Sequence, residues 1–462
     1  MEKTKLFTTQ QSFVTFINGV LLNICDISFE ERNAYAHGFL YKSKDINAKL
    51  YKIMSMSDAY SKDGFSHQGI EIQGPVIFVY KLFNSLNDLN STVQRFCELM
   101  PDGVTYVFII YGLWEDEIRE SAILPDNVLC FANETVERWI NEYPLDYIKS
   151  QDLIRLYNNT KVNKFEIDDF INYNKYVVDK LKNDIDDGDL SIILGAGVSF
   201  DYGAVSWNKL VNSFEKDISE KISLNFDNQI KGKIGTTDLI HAQLYKDLLP
   251  NDKYYNRIYQ SLYGNFTSSK LKKATTLFEL GSLLKRYFSN RNIKVLTYNY
   301  DNFFEQYLDK YFSNIKYSVF FTEECSLNNS IPIYHIHGYL PYDKEINKND
   351  KEINKNYKES IKLTEDDYNF LYNSPYSWQI ETQLEAFRKN NCLFVGCSLT
   401  DPNIRRLLKL SIDSKKRHYA IMSIDKMNTF ELVIVSHHFS KLGVDIIWTK
   451  DFNEFPTVLK QL

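Results

Sequence analysis

The feature that most constrains this chain is the run from Ser191 to Phe200, SIILGAGVSF. Its first half is apolar, which predicts a buried strand, and it ends abruptly at Gly195, Ala196 and Gly197. A strand that turns through glycine into a helix can hold a phosphate, because glycine allows close backbone approach and the helix N-terminus presents free N–H groups. The run therefore predicts a nucleotide site, although a plain strand-to-helix turn can have the same sequence.

Three more apolar strands downstream also end in polar residues. The first leads into Thr297–Asp301, TYNYD, just before an aromatic start of a helix. The second lies in Ile331–Leu340, where alternation places His335 and His337 on one strand face and Gly338 breaks the strand.

The third of these strands lies in Asn391–Leu408 and ends at Gly396-Cys397-Ser398. Asp401 followed by Pro402 predicts the start of a helix, because aspartate caps well and proline fits the first helical position. In a parallel sheet the carboxyl ends of the strands share one edge, and ligands bind in the crevice there. We therefore expect all four polar clusters to meet at one site.

Taken in order, the motifs GAGVS, TYNYD, HIHG and GCSLTDPNI resemble the sirtuin-type NAD-binding domain, and specifically the sirtuin-like NAD hydrolases of bacterial antiphage defence. The resemblance covers residues 189–462. It implies an α/β fold with a Rossmann-like parallel sheet, flanking helices and a small helical lobe. It also implies that NAD is the substrate and that water cleaves it to nicotinamide and ADP-ribose.

The resemblance assigns the chemistry to Asn299 and His337. Asn299 would hold the nicotinamide ribose and the attacking water, Asp301 would support that pocket, and His337 would be the general base. An amide can donate and accept together, and a histidine near its usual pKa of about 6.5 can take up a proton at neutral pH. From the residues alone, His337 is also compatible with a satisfied strand histidine, and Asn299 and Asp301 with helix caps.

The resemblance assigns NAD binding mainly to the first and last motifs, with Asp301 beside the ribose. The binding positions are Gly195, Ala196, Gly197 and Ser199 at the pyrophosphate, Gly396 and Ser398 at the adenosine side, and Asp401 in the segment that follows.

The cysteines set this chain apart from the deacetylase sirtuins, which carry a zinc module built from two closely spaced pairs. The six cysteines are Cys25, Cys97, Cys130, Cys325, Cys392 and Cys397, and no two form a Cys-x-x-Cys pair. This absence disfavours deacylation and favours cleavage of NAD by water. No metal is expected, since His335 and His337 have no further ligand cluster nearby, and Cys397 lacks the adjacent base of a nucleophile.

Composition narrows the setting. A length of 462 residues predicts two or three domains, and the net charge of -6 argues against constitutive nucleic-acid binding. Scattered cysteines fit a reducing cytosol, so we expect a cytoplasmic protein. The apolar stretch 13–24 is predicted to be an amphipathic helix, and no run reaches bilayer length, so membrane insertion is not expected.

Residues 1–150 are predicted to form a smaller α/β domain of unassigned function, either regulatory or partner-binding. Apolar runs at 74–83, 104–113 and 127–132 predict buried strands, and the spacing over 86–100 predicts a helix.

Residues 151–188 are predicted to be a polar linker with a helix over 168–182. The acidic run at 184–189 is interpreted as a solvated turn into the sirtuin-like domain, residues 189–462.

Two features within that last domain stand out. Helical spacing over 236–249 and 254–263 predicts the small lobe that covers NAD, with ordinary core packing as the alternative. The heptapeptide DKEINKN occurs at 343–349 and again at 350–356, which is typical of a duplicated insertion in a surface loop. A role in gating or oligomer contact is the alternative.

The resulting hypothesis is an NAD hydrolase that acts as a toxic effector in antiphage defence. Such an activity must be held inactive until triggered, so the N-terminal domain or an operon-encoded partner is expected to keep the site closed or to keep the protein from assembling. A homo-oligomer is expected. The alternatives are a non-catalytic NAD or ADP-ribose sensor and an ADP-ribosyl or deacyl transferase. An oxidoreductase is disfavoured, because Phe200 replaces the third glycine of the dinucleotide fingerprint.

Overall fold

The computed structural model divides the chain into two compact units. The first comprises residues 1–176 with 427–438, and the second comprises residues 177–426 with 439–462. The residues that the structure describes are 6–7, 9–24, 58–61, 64–67, 70–83, 85–98, 103–150, 167–187, 190–222, 233, 237–287, 293–323, 330–347, 352–414 and 416–462. Cys25 and Cys325 lie outside these described residues. So do residues 188–189 of the acidic run and residues 348–351 of the heptapeptide repeat.

The first unit is built on a small sheet with the order β1-β4-β5-β6, in which β4, β5 and β6 run parallel and β1 runs antiparallel to β4. Strands β2 and β3 form a separate antiparallel pair. The strands are β1 (Ala59–Ser61), β2 (Gly64–His67), β3 (Ile70–Gln73), β4 (Val76–Leu82), β5 (Thr105–Tyr111) and β6 (Val128–Phe131). The three predicted strands of this region are confirmed as β4, β5 and β6.

Helices connect and cover these strands. They are α1 (Gln10–Ile24), α2 (Leu86–Cys97), α3 (Glu115–Ser121), α4 (Asn133–Glu142) and α5 (Pro144–Ser150). In α1, Phe13, Phe16, Ile17, Val20 and Leu21 are buried, and their spacing of three and four residues puts them on one face. The predicted amphipathic helix is therefore present.

The second unit contains a parallel sheet of seven strands in the order β13-β12-β11-β7-β8-β10-β9. The strands are β7 (Leu190–Leu194), β8 (Lys294–Thr297), β9 (Tyr317–Phe320), β10 (Ile331–His335), β11 (Asn391–Val395), β12 (His418–Ser423) and β13 (Val444–Thr449). Strands β7 and β11 are buried at every position, as expected for the centre of a sheet covered on both faces. The expected α/β class with a Rossmann-like parallel sheet is confirmed.

Helices alternate with these strands. From residue 167 onward they are α6 (Ile167–Asp187), α7 (Trp207–Ile222), α8 (Asp238–Leu248), α9 (Asn251–Tyr263), α10 (Thr276–Tyr287), α11 (Phe303–Tyr311), α12 (Lys344–Asn347), α13 (Lys355–Ser360), α14 (Glu365–Asn373), α15 (Trp378–Lys389), α16 (Pro402–Ser411), α17 (Thr429–Ser440) and α18 (Phe455–Gln461). The division between the two units falls within α6, and the domain limits at 150 and 188 stay predictions about function.

The interpretation of the acidic run as a solvated turn was wrong up to Asp187, where α6 ends. Within the run, Asp184 is held from two sides: its carboxylate accepts a hydrogen bond from the Tyr419 hydroxyl, and its carbonyl accepts one from Asn391 Nδ2 at 3.0 Å. These contacts to β12 and β11 stabilise the last turn of α6, although the negative charge of this segment alone predicts a solvent-exposed turn.

The two copies of the heptapeptide take different structures. Residues 344–347 of the first copy form α12, whereas residues 352–354 of the second are irregular and α13 begins at Lys355. Ile346 and Ile353, which are equivalent in the repeat, are both buried. Tertiary packing therefore decides the conformation of an identical sequence.

Among the described residues, no helix is both long enough and apolar enough to cross a membrane.

Candidate functional site

The four polar motifs follow four neighbouring strands, β11, β7, β8 and β10. Hydrogen bonds continue from strand to strand past the ends of the sheet. Gly195 N donates to Val395 O at 3.0 Å, Tyr298 N to Leu194 O at 3.0 Å, and Ile336 N to Thr297 O at 2.9 Å. The structure therefore brings the four motifs together at one edge. The chain order reverses there between β7 and β11, which is where open α/β sheets bind ligands.

The first motif turns through Gly195 into a 3-10 helix over Ala196–Tyr202, and α7 begins only at Trp207. Gly203 ends the 3-10 helix with a φ of 105°, a left-handed value that suits glycine. The predicted helix start is present, but as a short 3-10 helix.

The glycines of the first and last motifs pack against each other. A Cβ on Gly195 would lie 2.5 Å from Gly396 O, and one on Gly197 would lie 2.9 Å from Gly396 Cα. Gly197 N also donates to Gly396 O at 3.0 Å. Glycine is therefore required for backbone contact between the two loops, and the N–H groups of Gly195 and Gly197 already have protein partners. Ala196, between them, is exposed.

Asn299 lies beneath the first motif and is 7% exposed. Its Nδ2 donates to Gly195 O at 3.0 Å and to Ser199 Oγ at 3.2 Å, and its backbone N donates to Thr297 Oγ1 at 3.1 Å. The third bond lies within its own segment, and the other two join the end of β8 to the loop after β7. Asn299 is thus held in one orientation.

Asp301 is buried next to Asn299 and is linked to it through Ser199. Its Oδ1 accepts a hydrogen bond from Phe303 N at 3.2 Å, and the Ser199 hydroxyl also donates to it. Burial raises the pKa of Asp301 to about 6, and the neighbouring Glu305 carboxylate acts in the same direction. The carboxylate therefore changes charge close to neutral pH.

His337 does not lie on the strand, because β10 ends at His335. Gly338 N donates back to His335 O at 3.2 Å, and Gly338 has a φ of 111°. The chain thus turns directly after the strand, and the two histidines make different contacts. The prediction that they share one strand face was wrong.

The His337 ring packs between two tyrosines, with ring centroids 5.0 Å from Tyr298 and 5.5 Å from Tyr368. His337 is 4% exposed, and its Nε2 is buried without a hydrogen-bond partner. Burial lowers its pKa below the usual 6.5, and the Asp401 carboxylate partly opposes that shift. The imidazole is therefore neutral at pH 7 and can accept a proton at a nitrogen.

Asp401 joins the last motif to this histidine. Its Oδ1 accepts from Asn403 N at 2.7 Å and caps α16, so the predicted helix start is confirmed. Its Oδ2 accepts from the Tyr368 hydroxyl at 2.6 Å. Helix α14 is thereby fixed over His337.

His335 faces the Asn299 side of the edge. Its Nδ1 lies 3.0 Å from Asn299 O, and its Nε2 lies 2.7 Å from Glu305 Oε1. Both side chains are enclosed, with exposures of 0% and 4%. Sequence reasoning missed Glu305, because its spacing from Asp301 looks like one turn of an ordinary helix.

Ser398 and Cys397, which follow Gly396 in the last motif, make contacts of their own. Ser398 is exposed, and its Oγ lies 2.7 Å from Thr400 Oγ1. Cys397 is buried with its Sγ 3.6 Å from Ile193 O, and burial raises the pKa of its thiol. A thiolate is disfavoured there, in keeping with a packing role.

A small cavity of about 10 Å³ lies below Asn299, about the space of one water molecule. Its lining combines apolar residues with the site carboxylates: Leu194, Val198, Ser199, Leu277, Thr297, Asn299, Asp301, Phe304, Glu305 and Ile333. In the part of the chain that the structure describes, no group of three or more His, Cys, Asp or Glu side chains is arranged to hold a metal ion.

A family model for the SIR2-like domain matches residues 293–439. Residues 293–439 are therefore similar to a SIR2-like domain. The matched region begins at β8 and includes the second, third and last motifs, while Gly195–Ser199 lies before it. The SIR2-like assignment therefore agrees with the resemblance and with the parallel sheet.

Two curated proteins are similar to this chain. It is 24% identical over 313 residues to NAD(+) hydrolase ThsA of Enterococcus faecium, covering 62% of this chain and 58% of that protein. It is 24% identical over 297 residues to NAD(+) hydrolase ThsA of Bacillus cereus (strain MSX-D12), covering 59% of this chain and 53% of that protein. The matches thus span a little more than half the length of these relatives.

Proposed function

We propose that this protein hydrolyses NAD to nicotinamide and ADP-ribose. The observation that carries the proposal is the pairing, at the ends of two adjacent strands, of a fixed amide on Asn299 with a buried, neutral imidazole on His337. The names of the two relatives, both NAD(+) hydrolases, support the choice of substrate.

The chemistry asks little acid assistance of the protein. Nicotinamide leaves as a neutral molecule from a cationic ring, so the transition state is oxocarbenium-like and the protein must position water and take up its proton. We assign positioning of the ribose and the water to Asn299. His337, with its free Nε2, is the group that accepts the proton.

NAD binding is assigned to Ala196, Ser199 and the loop at Gly396–Ser398, with Asp301 and Asp401 supporting the two halves of the site. Because the N–H groups of Gly195 and Gly197 are bonded to the last motif, their role in the proposal is to bring the two loops together. Ala196, which is exposed, is the part of the turn that we assign to the pyrophosphate.

The test is release of nicotinamide from NAD by the purified full chain. We expect Asn299→Ala and His337→Ala each to lower kcat at least about a hundredfold, the size of a lost general base. Asn212→Ala and His438→Ala replace exposed residues of the same types and serve as matched controls that retain activity. Normal turnover in both site variants would contradict the assignment, and NAD binding without turnover by the wild type would favour a sensor.

We further propose that the activity is that of a toxic, cytoplasmic effector in antiphage defence that stays inactive until infection. The motif resemblance and the presence of a second unit without an assigned activity support this, and the enclosure of His337 agrees with a site that must open. The restraint would come from the first unit or from an operon-encoded regulator, which would keep the site closed or keep the protein from assembling. Constant NAD depletion in uninfected cells that express the full chain would contradict the restraint, whereas depletion only after infection would support it.

A further inference from the structure

Both ring nitrogens of His335 are engaged in the interior of the second unit. The Asn299 carbonyl can only accept a hydrogen bond, so Nδ1 of His335 carries a hydrogen and donates it at 3.0 Å. The other nitrogen, Nε2, shares one proton with Glu305 Oε1 at 2.7 Å, whichever of the two groups holds it. The imidazole thus connects a carboxyl group on α11 to the backbone of Asn299.

Burying a carboxyl group and an imidazole together is energetically unfavourable compared with burying apolar side chains. Removing a carboxyl group and an imidazole from water costs several kcal/mol per charge unless each is fully bonded, and apolar side chains of similar volume often stabilise a fold as well or better. Asp301 lines the same small cavity as Glu305, so a second carboxyl group is buried close by. Ionisable groups buried together at the carboxyl ends of parallel strands are candidates for a functional role.

The hydrogen bond from His335 holds Asn299, the residue whose fixed orientation the proposed reaction requires. The side-chain amide of Asn299 is held by Gly195 O and Ser199 Oγ, and its carbonyl is held by His335. Rotation of the peptide after Asn299 would break the His335 bond and shift the Asn299 Cα that carries the amide.

Glu305 holds the ring of His335 in place. With Glu305 bonded at Nε2, both ring nitrogens are anchored and the Nδ1 hydrogen points at Asn299 O. Without it, the ring is held at Nδ1 alone, so it can turn and weaken the bond to the Asn299 carbonyl.

We propose that Glu305 and His335 are positioning residues that hold the backbone of Asn299, and through it the Asn299 amide, in the orientation that NAD hydrolysis requires. The inference rests on the proposed function. It gives a role to Glu305 and His335, to which the sequence motifs assigned neither catalysis nor NAD binding.

Two substitutions at one position separate positioning from packing. In His335→Asn the amide nitrogen can replace Nδ1 and keep the donor to Asn299 O, while contact with Glu305 is lost. In His335→Gln the longer amide can replace Nε2 and keep Glu305, while the donor to Asn299 is lost. We expect His335→Gln to lower kcat about a hundredfold with KM for NAD changed less than about threefold, and His335→Asn to keep kcat within about tenfold of wild type.

Glu305 offers a second matched pair. Glu305→Gln can donate from its amide to Nε2 and so keep the ring anchored at both nitrogens, whereas Glu305→Ala cannot. We expect the glutamine variant to rescue most of the kcat that the alanine variant loses. His418→Asn serves as the stability control, because His418 is buried at the start of β12, away from the strand-end site. It should lower Tm without lowering kcat.

The positioning role is overturned if His335→Asn and His335→Gln lose kcat equally, or if kcat follows Tm across all variants, His418→Asn included. A measurement that does not depend on turnover tests the positioning role separately from NAD hydrolysis. In nitrogen NMR of histidine-labelled protein, His335 should carry a hydrogen-bonded hydrogen on Nδ1 in the wild type, and that hydrogen should exchange faster with solvent in Glu305→Ala. An unchanged exchange rate overturns the role of the pair, whereas absence of nicotinamide release by a wild type with the expected Nδ1 hydrogen overturns only hydrolysis.

Discussion

Asn299 and His337 lie at the same edge of the sheet but differ in their hydrogen bonding. The side-chain N–H groups, the backbone N–H and the backbone carbonyl of Asn299 all have partners within the protein. His337 has a buried Nε2 with none. A side chain that several hydrogen bonds fix in place is suited to positioning. A buried ring nitrogen without a hydrogen-bond partner is suited to exchange a proton. The burial and hydrogen bonding of the two residues therefore agree with their proposed roles.

Asp301→Asn tests the electrostatics at this scale. Asp301 has a pKa raised from 3.8 to about 6 in the folded protein, so between those values the folded state binds more protons than the unfolded state. Its stabilising contribution is therefore lost as pH rises toward 6, and at pH 7 the ionised carboxylate costs about 3 kcal/mol. Asparagine does not titrate.

We expect the free energy of unfolding of Asp301→Asn, relative to wild type, to increase by up to about 3 kcal/mol between pH 4 and pH 7. Urea denaturation at a series of pH values measures it. Parallel stability curves for the two proteins would show that Asp301 is not held in the environment described here.

At the scale of elements, the site depends on two loops and one covering helix. The turn after β7 and the turn after β11 touch through glycine backbones, and α14 lies over His337 through the bond from Tyr368 to Asp401. These contacts join segments far apart in the chain. They determine whether the polar groups at the strand ends form one site.

Gly195→Ala should destabilise the contact between the two loops. The added Cβ would lie 2.5 Å from Gly396 O and 2.7 Å from Cys397 Sγ, so one loop must move. We expect a loss of about 1–3 kcal/mol in unfolding free energy, together with a loss of nicotinamide release. Ala196→Gly, at the exposed neighbouring position, is the control and should cost less than about 1 kcal/mol. A Gly195→Ala protein as stable as wild type would refute the packing role.

Tyr368→Phe tests the cover over His337. Losing the 2.6 Å bond to Asp401 should cost about 1–3 kcal/mol of stability, because the acceptor is a carboxylate. If α14 restrains the site, nicotinamide release by the untriggered full chain should rise above that of wild type. A fall in kcat would instead place the Tyr368 hydroxyl among the groups that act on NAD.

At the scale of the whole molecule, the fold has a strand-end site on one unit and a second unit whose task is a proposal. The parallel sheet has its order reversal between β7 and β11, so the site lies where the topology favours a dinucleotide. Binding there should stabilise the folded chain, independent of whether the NAD is then cleaved.

His337→Ala allows binding to be measured without turnover. At an NAD concentration of about 100 times Kd, the folded state gains about 2.7 kcal/mol, which corresponds to a rise in Tm of about 5–10 °C for a domain of this size. Thermal unfolding with and without NAD measures it, with nicotinamide alone as the control. Absence of a shift, with wild-type release intact, would show that His337 is needed for binding rather than for proton transfer.

Much of the second unit was predictable because its signals are local. The apolar runs that became β7, β8, β10 and β11 act through burial over four to six residues, and Asp401 with Pro402 starts α16 by capping and by its fixed backbone angle. The order of the motifs then predicted that their polar ends would meet, because parallel strands end at one edge. The same local signals predicted the strands of the first unit.

The tertiary structure decided which polar groups touch. Glu305 and His335 are 30 positions apart and Asn299 and Gly195 are 104 apart, and no periodicity in the sequence couples either pair. His337 left the strand because of the turn at Gly338, and the acidic end of α6 stayed helical because β11 and β12 hold Asp184. Propensity and patterning act within a few residues, whereas contacts between distant loops depend on how the whole sheet is assembled. The sequence therefore determined the strands and the residues at their ends, and the fold alone determined their bonding.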